Sequence, residues 1–288
     1  MDQNYKQAYV WGVKELEQAG IAEAETDTRL LLEYVCNTDR NTLLVHGDRM
    51  LSKEEYESYV NYISKRKKHR PLQYITGVQN FMGLEFAVNE HVLIPRQDTE
   101  ILVEEVMRHL HDGMRILDMC TGSGCILLSL LYYSNDCSGV GVDISADALQ
   151  VAEQNAERVG KLKNSTISAE FIQSNLFEQL DEQAGSFEII VSNPPYIQSD
   201  VIETLMPEVK DFEPHMALDG RADGLYFYRE IIGQAGKYLA GGGALFFEIG
   251  YDQGAAVKGL MEAAGYLDVK VVKDFAGLDR VVYGIRKG

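Results

Sequence analysis

The segment Arg115-Ile116-Leu117-Asp118-Met119-Cys120-Thr121-Gly122-Ser123-Gly124-Cys125-Ile126-Leu127-Leu128 decides how this chain folds. It opens as a short apolar run of strand type, breaks at two glycines and continues as an apolar stretch of helical type. Gly122 and Gly124 let the backbone turn tightly and approach a ligand closely, and Gly124 leads into the helix N-terminus. The next apolar stretch ends at Asp143, nineteen residues after Gly124, where a carboxylate can accept hydrogen bonds from two ribose hydroxyls. A nucleoside-containing ligand fits this pattern, although glycines after a strand also serve purely structural turns. The pattern does not separate a dinucleotide from S-adenosylmethionine. Ile126 and Leu127 stand where a pyrophosphate-binding loop places its third glycine, which tilts against the dinucleotide. No Gly-Lys-Ser/Thr follows, so the segment is not a P-loop. Asp118 reads equally as a contact to the ligand's amino-acid part or as a structural cap.

Outward from this segment the chain alternates strand and helix. Strands are predicted at 115–119, 139–143, 170–173, 187–192, 244–249, 269–273 and 280–285, with amphipathic helices between most of them, as at 146–159 and 226–239. Short apolar strands separated by helices imply a parallel sheet covered on both faces. Residues 274–279 are too few for a helical crossover, so the last strand should run antiparallel. The expected fold class is α/β, a Rossmann-like seven-stranded sheet.

Residues 1–71 read as a small helical domain. Tyr5, Tyr9, Val13 and Leu16 recur at helical spacing and Gly20 ends the run. A second helix is predicted from a cap at Thr26 or Asp27 through Val35, and a third from Ser52, with Glu55 completing a capping box. No residue of this domain suggests chemistry, so docking is its expected role. Pro71 breaks the last helix. Residues 72–94 carry β signals (Gln73 to Thr76, a turn at Gly77, then Phe81, Leu84, Phe86 and Val88 around Gly83) and read as a β-hairpin linker to a domain spanning 95–288.

Lys and Arg number 27 against 44 Asp and Glu, a net charge of −17. The excess is uneven: residues 1–75 carry −1 and residues 76–288 carry −16. Such a surface repels phosphate backbones, whose binding rests on clustered Lys and Arg. The one basic run, Lys65 to Arg70, could touch an acidic partner, but a solvated helix end is the commoner meaning. No apolar run approaches the roughly 18 residues of a membrane span, and the N-terminus lacks the basic start and apolar core of a secretory signal. A cytoplasmic location is expected. Cys36, Cys120, Cys125 and Cys137 form no CxxC pair and have no His at zinc spacing, so neither a metal nor a disulfide is expected.

The predicted strand 187–192 runs directly into Asn193-Pro194-Pro195-Tyr196. In an open α/β sheet the carboxyl ends of strands near the switch point form the ligand crevice. The prolines fix φ and remove two donors, leaving their carbonyls as pure acceptors. The Asn193 side-chain oxygen and the Pro194 carbonyl can then accept both hydrogens of one NH₂ group, with Tyr196 closing over a flat substrate. Such a grip suits methylation of an amide or aromatic amine, whose lone pair is delocalised; positioning and electrostatics would supply most of the rate.

These residues resemble the release-factor glutamine methyltransferases, the HemK/PrmC family of class I S-adenosylmethionine-dependent methyltransferases. The resemblance runs through Arg70–Gly77, Phe81–Phe86, Ile94–Glu100, Asp118–Gly124, Asn193–Ile197, Glu213-Pro214, Asp223-Gly224-Leu225, Tyr228-Arg229 and Ala276–Val282. It thus covers about residue 70 to the end; the helical front fits the family's N-terminal domain in kind. It implies that the substrate is the glutamine of the Gly-Gly-Gln motif in bacterial class 1 peptide chain release factors, methylated at N5. By the same resemblance Thr121, Gly122, Ser123, Gly124, Cys125, Asp143, Asn175 and Leu176 contact S-adenosylmethionine, with Asp118 and Asn193 beside it. Asn193, Pro194 and Tyr196 would carry catalysis, and these with Pro195, Phe86, Arg96 and Glu100 would shape the glutamine pocket. Three positions depart from the family pattern. Cys120 replaces a usual glycine, Asn175-Leu176 replaces Asp and an aromatic, and Arg221 interrupts a Gly-Gly pair.

Rival readings remain at this point. A nucleic-acid adenine-N6 or guanine-N2 methyltransferase would grip an exocyclic amine the same way, but must flip a base and neutralise phosphates, which the acidity opposes. A non-catalytic S-adenosylmethionine-binding adaptor is disfavoured by intact Asn193 and Asp143. A dehydrogenase would leave the Asn-Pro-Pro-Tyr segment unexplained. The resemblance implies a protein partner and neither nucleic acid nor membrane.

Overall fold

The computed structural model describes residues 3–180 and 187–288. In chain order the helices are α1 (Tyr5–Gln18), α2 (Ala24–Val35), α3 (Arg40–Val45), α4 (Lys53–Arg66), α5 (Leu72–Thr76) and α6 (Gln97–Met107). They continue with α7 (Cys125–Tyr133), α8 (Ala146–Lys163), α9 (Pro207–Lys210), α10 (His215–Leu218), α11 (Tyr226–Ala235) and α12 (Gly254–Ala263). The strands are β1 (Val78–Phe81), β2 (Leu84–Ala87), β3 (Arg115–Met119), β4 (Ser138–Asp143) and β5 (Ala169–Gln173), then β6 (Phe187–Ser192), β7 (Leu239–Glu248), β8 (Leu267–Lys273) and β9 (Asp279–Ile285). Two compact units result: Met1–Gly77 with Met206–Phe212, and Val78–Leu205 with Glu213–Gly288.

The first unit is helical around Tyr5, Leu16, Leu31, Tyr59 and Ile63, all buried. Asn4 and Gln7 form a capping box on α1, and Ser52 and Glu55 form the expected one on α4. Helix α2 departs from expectation, because it starts at Ala24, ahead of Thr26 and Asp27. The Asp27 carboxylate is not a cap; it is buried and accepts from Arg66 Nε at 2.7 Å. The second guanidinium nitrogen of Arg66 reaches Glu208 at 2.9 Å. The basic run is therefore no simple solvated end: Arg66 is interior, Lys67 pairs with Glu15, and His69 meets Glu208. Helix α3 went unforeseen, although Asp39 accepts from Thr42 N at 2.7 Å in an ordinary N-cap.

Gln73 to Thr76, read above as β, belong to α5. Pro71 sits at the N-cap, Gly77 supplies a left-handed C-cap at φ 78°, and Tyr74 and Ile75 are buried. Local start and stop chemistry outweighs β propensity over so short a segment. The hairpin is confined to β1 and β2, which pair from Val78↔Ala87 to Phe81↔Leu84. Met82 and Gly83 between them both have positive φ, at 50° and 71°, as a type I′ turn requires. Residues 88–94 contain no strand.

In the second unit seven strands lie in the order β5-β4-β3-β6-β7-β9-β8. Six point the same way, five of them paired side by side, and only β9 runs against its neighbours β7 and β8. The last strand thus runs as its short link demanded, between its two neighbours. Period-two alternation sends Ile116, Ile189, Val191 and Phe246 to one face, against Leu102, Val106, Leu127 and Val159 of α6, α7 and α8. Leu117, Ile190, Leu245 and Phe247 face the other way, against Ile231 and Ile232 of α11 and Val257 and Met261 of α12. The chain leaves β3 toward β4 on one side and returns to β6 on the other. Their carboxyl ends flank the switch point where such sheets bind ligands.

Candidate active site

Three residues of the turn after β3 have left-handed backbone: Cys120 at φ 62°, Gly122 at 55° and Gly124 at 77°. Gly124 caps α7. Thr121 N donates to Val142 O at 2.9 Å, so the turn lies against the end of β4. Asp143 holds it there, with Oδ2 accepting from Gly122 N and Oδ1 from Ser145 N, both at 2.9 Å. Each oxygen keeps a lone pair for a ligand hydroxyl. Burial pushes the Asp143 carboxyl up, and the Ser145 and Gly122 amides oppose that. Asn155, overlooked in the sequence, ties the turn down from behind: Nδ2 donates to Ser123 O at 2.9 Å, and Oδ1 accepts from Ala87 N at 2.7 Å. An Asn on the apolar face of α8 was the available signal.

Above the turn lies a cavity of about 500 Å³, of the size that small ligands occupy. Thr121, Gly122, Ser123, Cys125 and Asp143 line it, and Asn175 and Leu176 stand on the same wall system. Asn193, Pro195 and Arg96 line it as well. The sequence placed these ten residues at one site, and the fold brings them together.

Six other candidates do not line the cavity. Gly124 lies behind the wall as the cap of α7, and Pro194 is buried between Asn193 and Pro195, which do line it. Asp118 is fully buried and accepts from Thr121 Oγ1 at 2.6 Å. Of its two readings, the structural one fits, and burial raises its carboxyl to about 7. Phe86 is also fully buried, because it is the inward residue of β2 and meets Phe81 edge-on. Glu100 is turned toward the hairpin, where Oε1 accepts from Met82 N at 2.6 Å. Tyr196 does not cover the cavity; its ring packs in the second apolar layer and its hydroxyl donates to Glu248 Oε1 at 3.2 Å.

Asn193-Pro194-Pro195-Tyr196 leaves β6 and is gripped from several sides. Ser192 Oγ donates to Met119 O at 2.6 Å, which joins the two strand ends. Asn193 Nδ2 donates to Thr99 Oγ1 at 3.3 Å. Ile197 N donates to Leu218 O, and Gly220 N to Ile197 O. Gly220 packs so close that a Cβ there would lie 2.7 Å from Tyr196 Cα, and one on Gly224 would collide with Tyr196 O. Thr99, Glu248 and Gln253 were not foreseen; a lone Glu ending the apolar strand Leu245-Phe246-Phe247-Glu248 was the clearest sign.

The three departures share a backbone feature. Cys120, Leu176 and Arg221 all have positive φ, at 62°, 50° and 71°, where side chains are strained. Arg221 is braced there by its own N–H on Asp219 Oδ1 at 2.9 Å and its guanidinium on Asp219 Oδ2. Burial raises the Cys125 thiol to about 12 and that of Cys120 further. Among the described residues no cluster of three His, Cys, Asp or Glu could hold a metal ion, and no helix is long and apolar enough to cross a membrane.

Residues 7–77 match the PrmC N-terminal domain family, and residues 96–209 match the methyltransferase small domain. The release factor glutamine methyltransferase of Clostridium acetobutylicum is 42% identical over 264 residues, covering 91% of each chain. The chain belongs to the release factor glutamine methyltransferase family. The corresponding protein of Geobacter sulfurreducens is 41% identical over 95% of this chain and 94% of its own. Like the other release factor glutamine methyltransferases, this chain is an enzyme with a class I methyltransferase domain, a class that uses S-adenosylmethionine. A methyltransferase from Pyrococcus furiosus, 17% identical, superposes with a TM-score of 0.52 over 72% of this chain and 90% of its own, a likeness of fold alone.

Proposed function

We propose that this enzyme transfers a methyl group from S-adenosylmethionine to the side-chain amide nitrogen, N5, of the glutamine in the Gly-Gly-Gln motif of bacterial class 1 release factors. One observation carries the reading: Asn193 and Pro195 share a cavity with the glycine turn and Asp143. A planar amide and a nucleoside cofactor can therefore meet there.

The residues fit the cofactor. Gly122 brings backbone to the ligand without a Cβ, Gly124 lets the turn pack against Leu128 and Ala152 behind it, and Asp143 offers one free lone pair per oxygen to the ribose hydroxyls. When bound, S-adenosylmethionine supplies an electrophilic sulfonium methyl. The protein's part is to hold the acceptor. Asn193 Oδ1 and the Pro194 carbonyl accept the two amide hydrogens, which raises electron density on nitrogen and fixes its approach. No base need act first, because the amide proton becomes acidic only as the N–C bond forms.

The charge split supports a protein partner of opposite sign. Residues 76–288 carry −16, and a release-factor domain that enters ribosomal RNA should be basic, so an acidic face would draw it in. Docking is the role proposed for the helical residues 1–71, joined through 72–94 to the catalytic residues 95–288. The enzyme would work in the cytoplasm, without a metal, membrane or nucleic-acid partner. The test is label transfer from S-adenosylmethionine to a purified bacterial release factor, with RNA and DNA as alternative acceptors. Label in the release factor alone supports the reading; label in nucleic acid alone overturns it.

A further inference from the structure

Beneath the Asn-Pro-Pro-Tyr segment lies a small polar cluster inside an apolar layer. Glu248 ends β7 and is 2% exposed, next to fully buried Phe247 and Ile249. Its Oε1 accepts from the Tyr196 hydroxyl at 3.2 Å, whereas Oε2 is buried with no hydrogen-bond partner among the described residues. Thr99, on the first turn of α6, is also 2% exposed. Burial pushes the Glu248 carboxyl up, and the Thr99 hydroxyl, Arg280 and Tyr196 oppose that; Thr99 Oγ1 itself accepts from Asn193 Nδ2 at 3.3 Å.

The bonding capacity of these groups gives the chain a direction. A carboxylate can only accept, and a hydroxyl has one proton to give. When the Thr99 proton is turned to Glu248, only lone pairs face Asn193. The Asn193 amide then presents NH₂ to Thr99 and keeps its oxygen for the substrate. Rotated by half a turn, the amide would set oxygen against oxygen at Thr99 and NH₂ against the substrate's NH₂. Neither contact binds.

We propose that Glu248 and Thr99 are positioning residues, a polarity relay that fixes which way the Asn193 amide faces, with Glu248 also placing Tyr196. The inference rests on the proposed function, since it assumes that Asn193 Oδ1 receives a substrate N–H. It adds two residues that neither touch the reacting nitrogen nor belong to the Asn-Pro-Pro-Tyr segment.

The test compares Thr99→Val, Thr99→Ser and Glu248→Gln in the full chain, each checked for S-adenosylhomocysteine binding. Removing one buried hydrogen bond of this kind costs roughly ten- to a hundredfold in rate. Thr99→Val, which keeps shape and loses the hydroxyl, should lower kcat on release factor by that factor with unchanged S-adenosylhomocysteine affinity. Thr99→Ser should restore kcat to within about threefold of wild type. Glu248→Gln, which can donate as well as accept, should also lower kcat, and the threonine pair decides even if that variant does not fold. Wild-type kcat in Thr99→Val, or equal losses in Val and Ser, overturns the relay. A second readout needs no turnover: the Asn193 side-chain NH₂ signals in ¹⁵N spectra should shift in Thr99→Val and stay in Thr99→Ser. Unshifted signals in Thr99→Val refute the relay alone. Absence of turnover in the wild type refutes the proposed function and leaves the spectra to judge the relay.

Discussion

Gln253 Nε2 donates to the carbonyl oxygen of Tyr196 at 3.0 Å and to that of Gly224 at 3.2 Å. Its Oε1 accepts from Gly250 N at 2.9 Å and from the Tyr228 hydroxyl. One buried amide thus joins the exit of the Asn-Pro-Pro-Tyr segment to the loop before α11 and the turn after β7. Gln253→Leu would leave four polar groups without this partner, at about 1–3 kcal/mol for each that water cannot reach. We expect a clear fall in thermal midpoint together with a loss of kcat, measured by calorimetry and methyl transfer. A variant with wild-type stability and kcat would show that the segment is held otherwise.

Gly220 makes a separate steric prediction. A Cβ there would stand 2.7 Å from Tyr196 Cα and C, so Gly220→Ala must displace the segment. Overpacking of this kind costs about 1–3 kcal/mol. Activity should fall with stability, whereas Gly233→Ala, inside α11 where a Cβ meets nothing within 4 Å, should keep activity and gain about 0.5–1 kcal/mol of stability in the same denaturation and activity assays.

Cys120 holds φ 62° without being a glycine. Relief of left-handed strain is worth about 1–2 kcal/mol, offset by the ~0.5–1 kcal/mol entropic cost of glycine. Cys120→Gly should therefore equal or slightly exceed wild type in stability and bind S-adenosylhomocysteine at least as tightly. Cys120→Val should lose both, because a β-branched residue tolerates that backbone worst. Titration calorimetry with both variants checks the order, and a weaker-binding glycine variant would contradict it.

Asp118 sets a pH dependence. Burial raises its folded carboxyl to about 7, well above its value in an unfolded chain. The folded state then holds a proton that the unfolded state has released, so this group's contribution falls as pH rises from about 4 to about 7 and levels off above. Asp143 and Glu248, also raised by burial, act with the same sign and persist in the variant. Urea midpoints of ligand-free protein between pH 5 and pH 8 should decline less in Asp118→Asn than in wild type. Parallel declines would mean that Asp118 is not protonated near neutrality.

Much of this fold was legible because its signals are local and strong. The glycine turn, Asp143 and the apolar strands fixed the parallel sheet, and the short 274–279 link alone forced the direction of β9. Gln73 to Thr76 misled because a five-residue helix has no periodicity to display, and its Pro71 and Gly77 bounds serve a turn equally well. The glycine turn and Asp143, which line the cavity, were legible for the same local reasons, whereas Asn175 and Leu176 entered through family resemblance alone. Phe86 and Glu100 were not, since a side chain's direction depends on hairpin register and on a partner at Met82. Thr99, Glu248 and Gln253 meet the Asn-Pro-Pro-Tyr segment from residues 52 to 94 positions away. Contacts at that separation leave no periodic trace in one sequence.

The central claim is a methyl on a glutamine amide, and peptide mass spectrometry after reaction of release factor with S-adenosylmethionine tests it most directly. The account predicts one added methyl, located by fragmentation on the glutamine of Gly-Gly-Gln, with wild-type enzyme and none with Asn193→Ala, while that variant still binds S-adenosylhomocysteine. A methyl on any other residue, or an undiminished yield from Asn193→Ala, would contradict it.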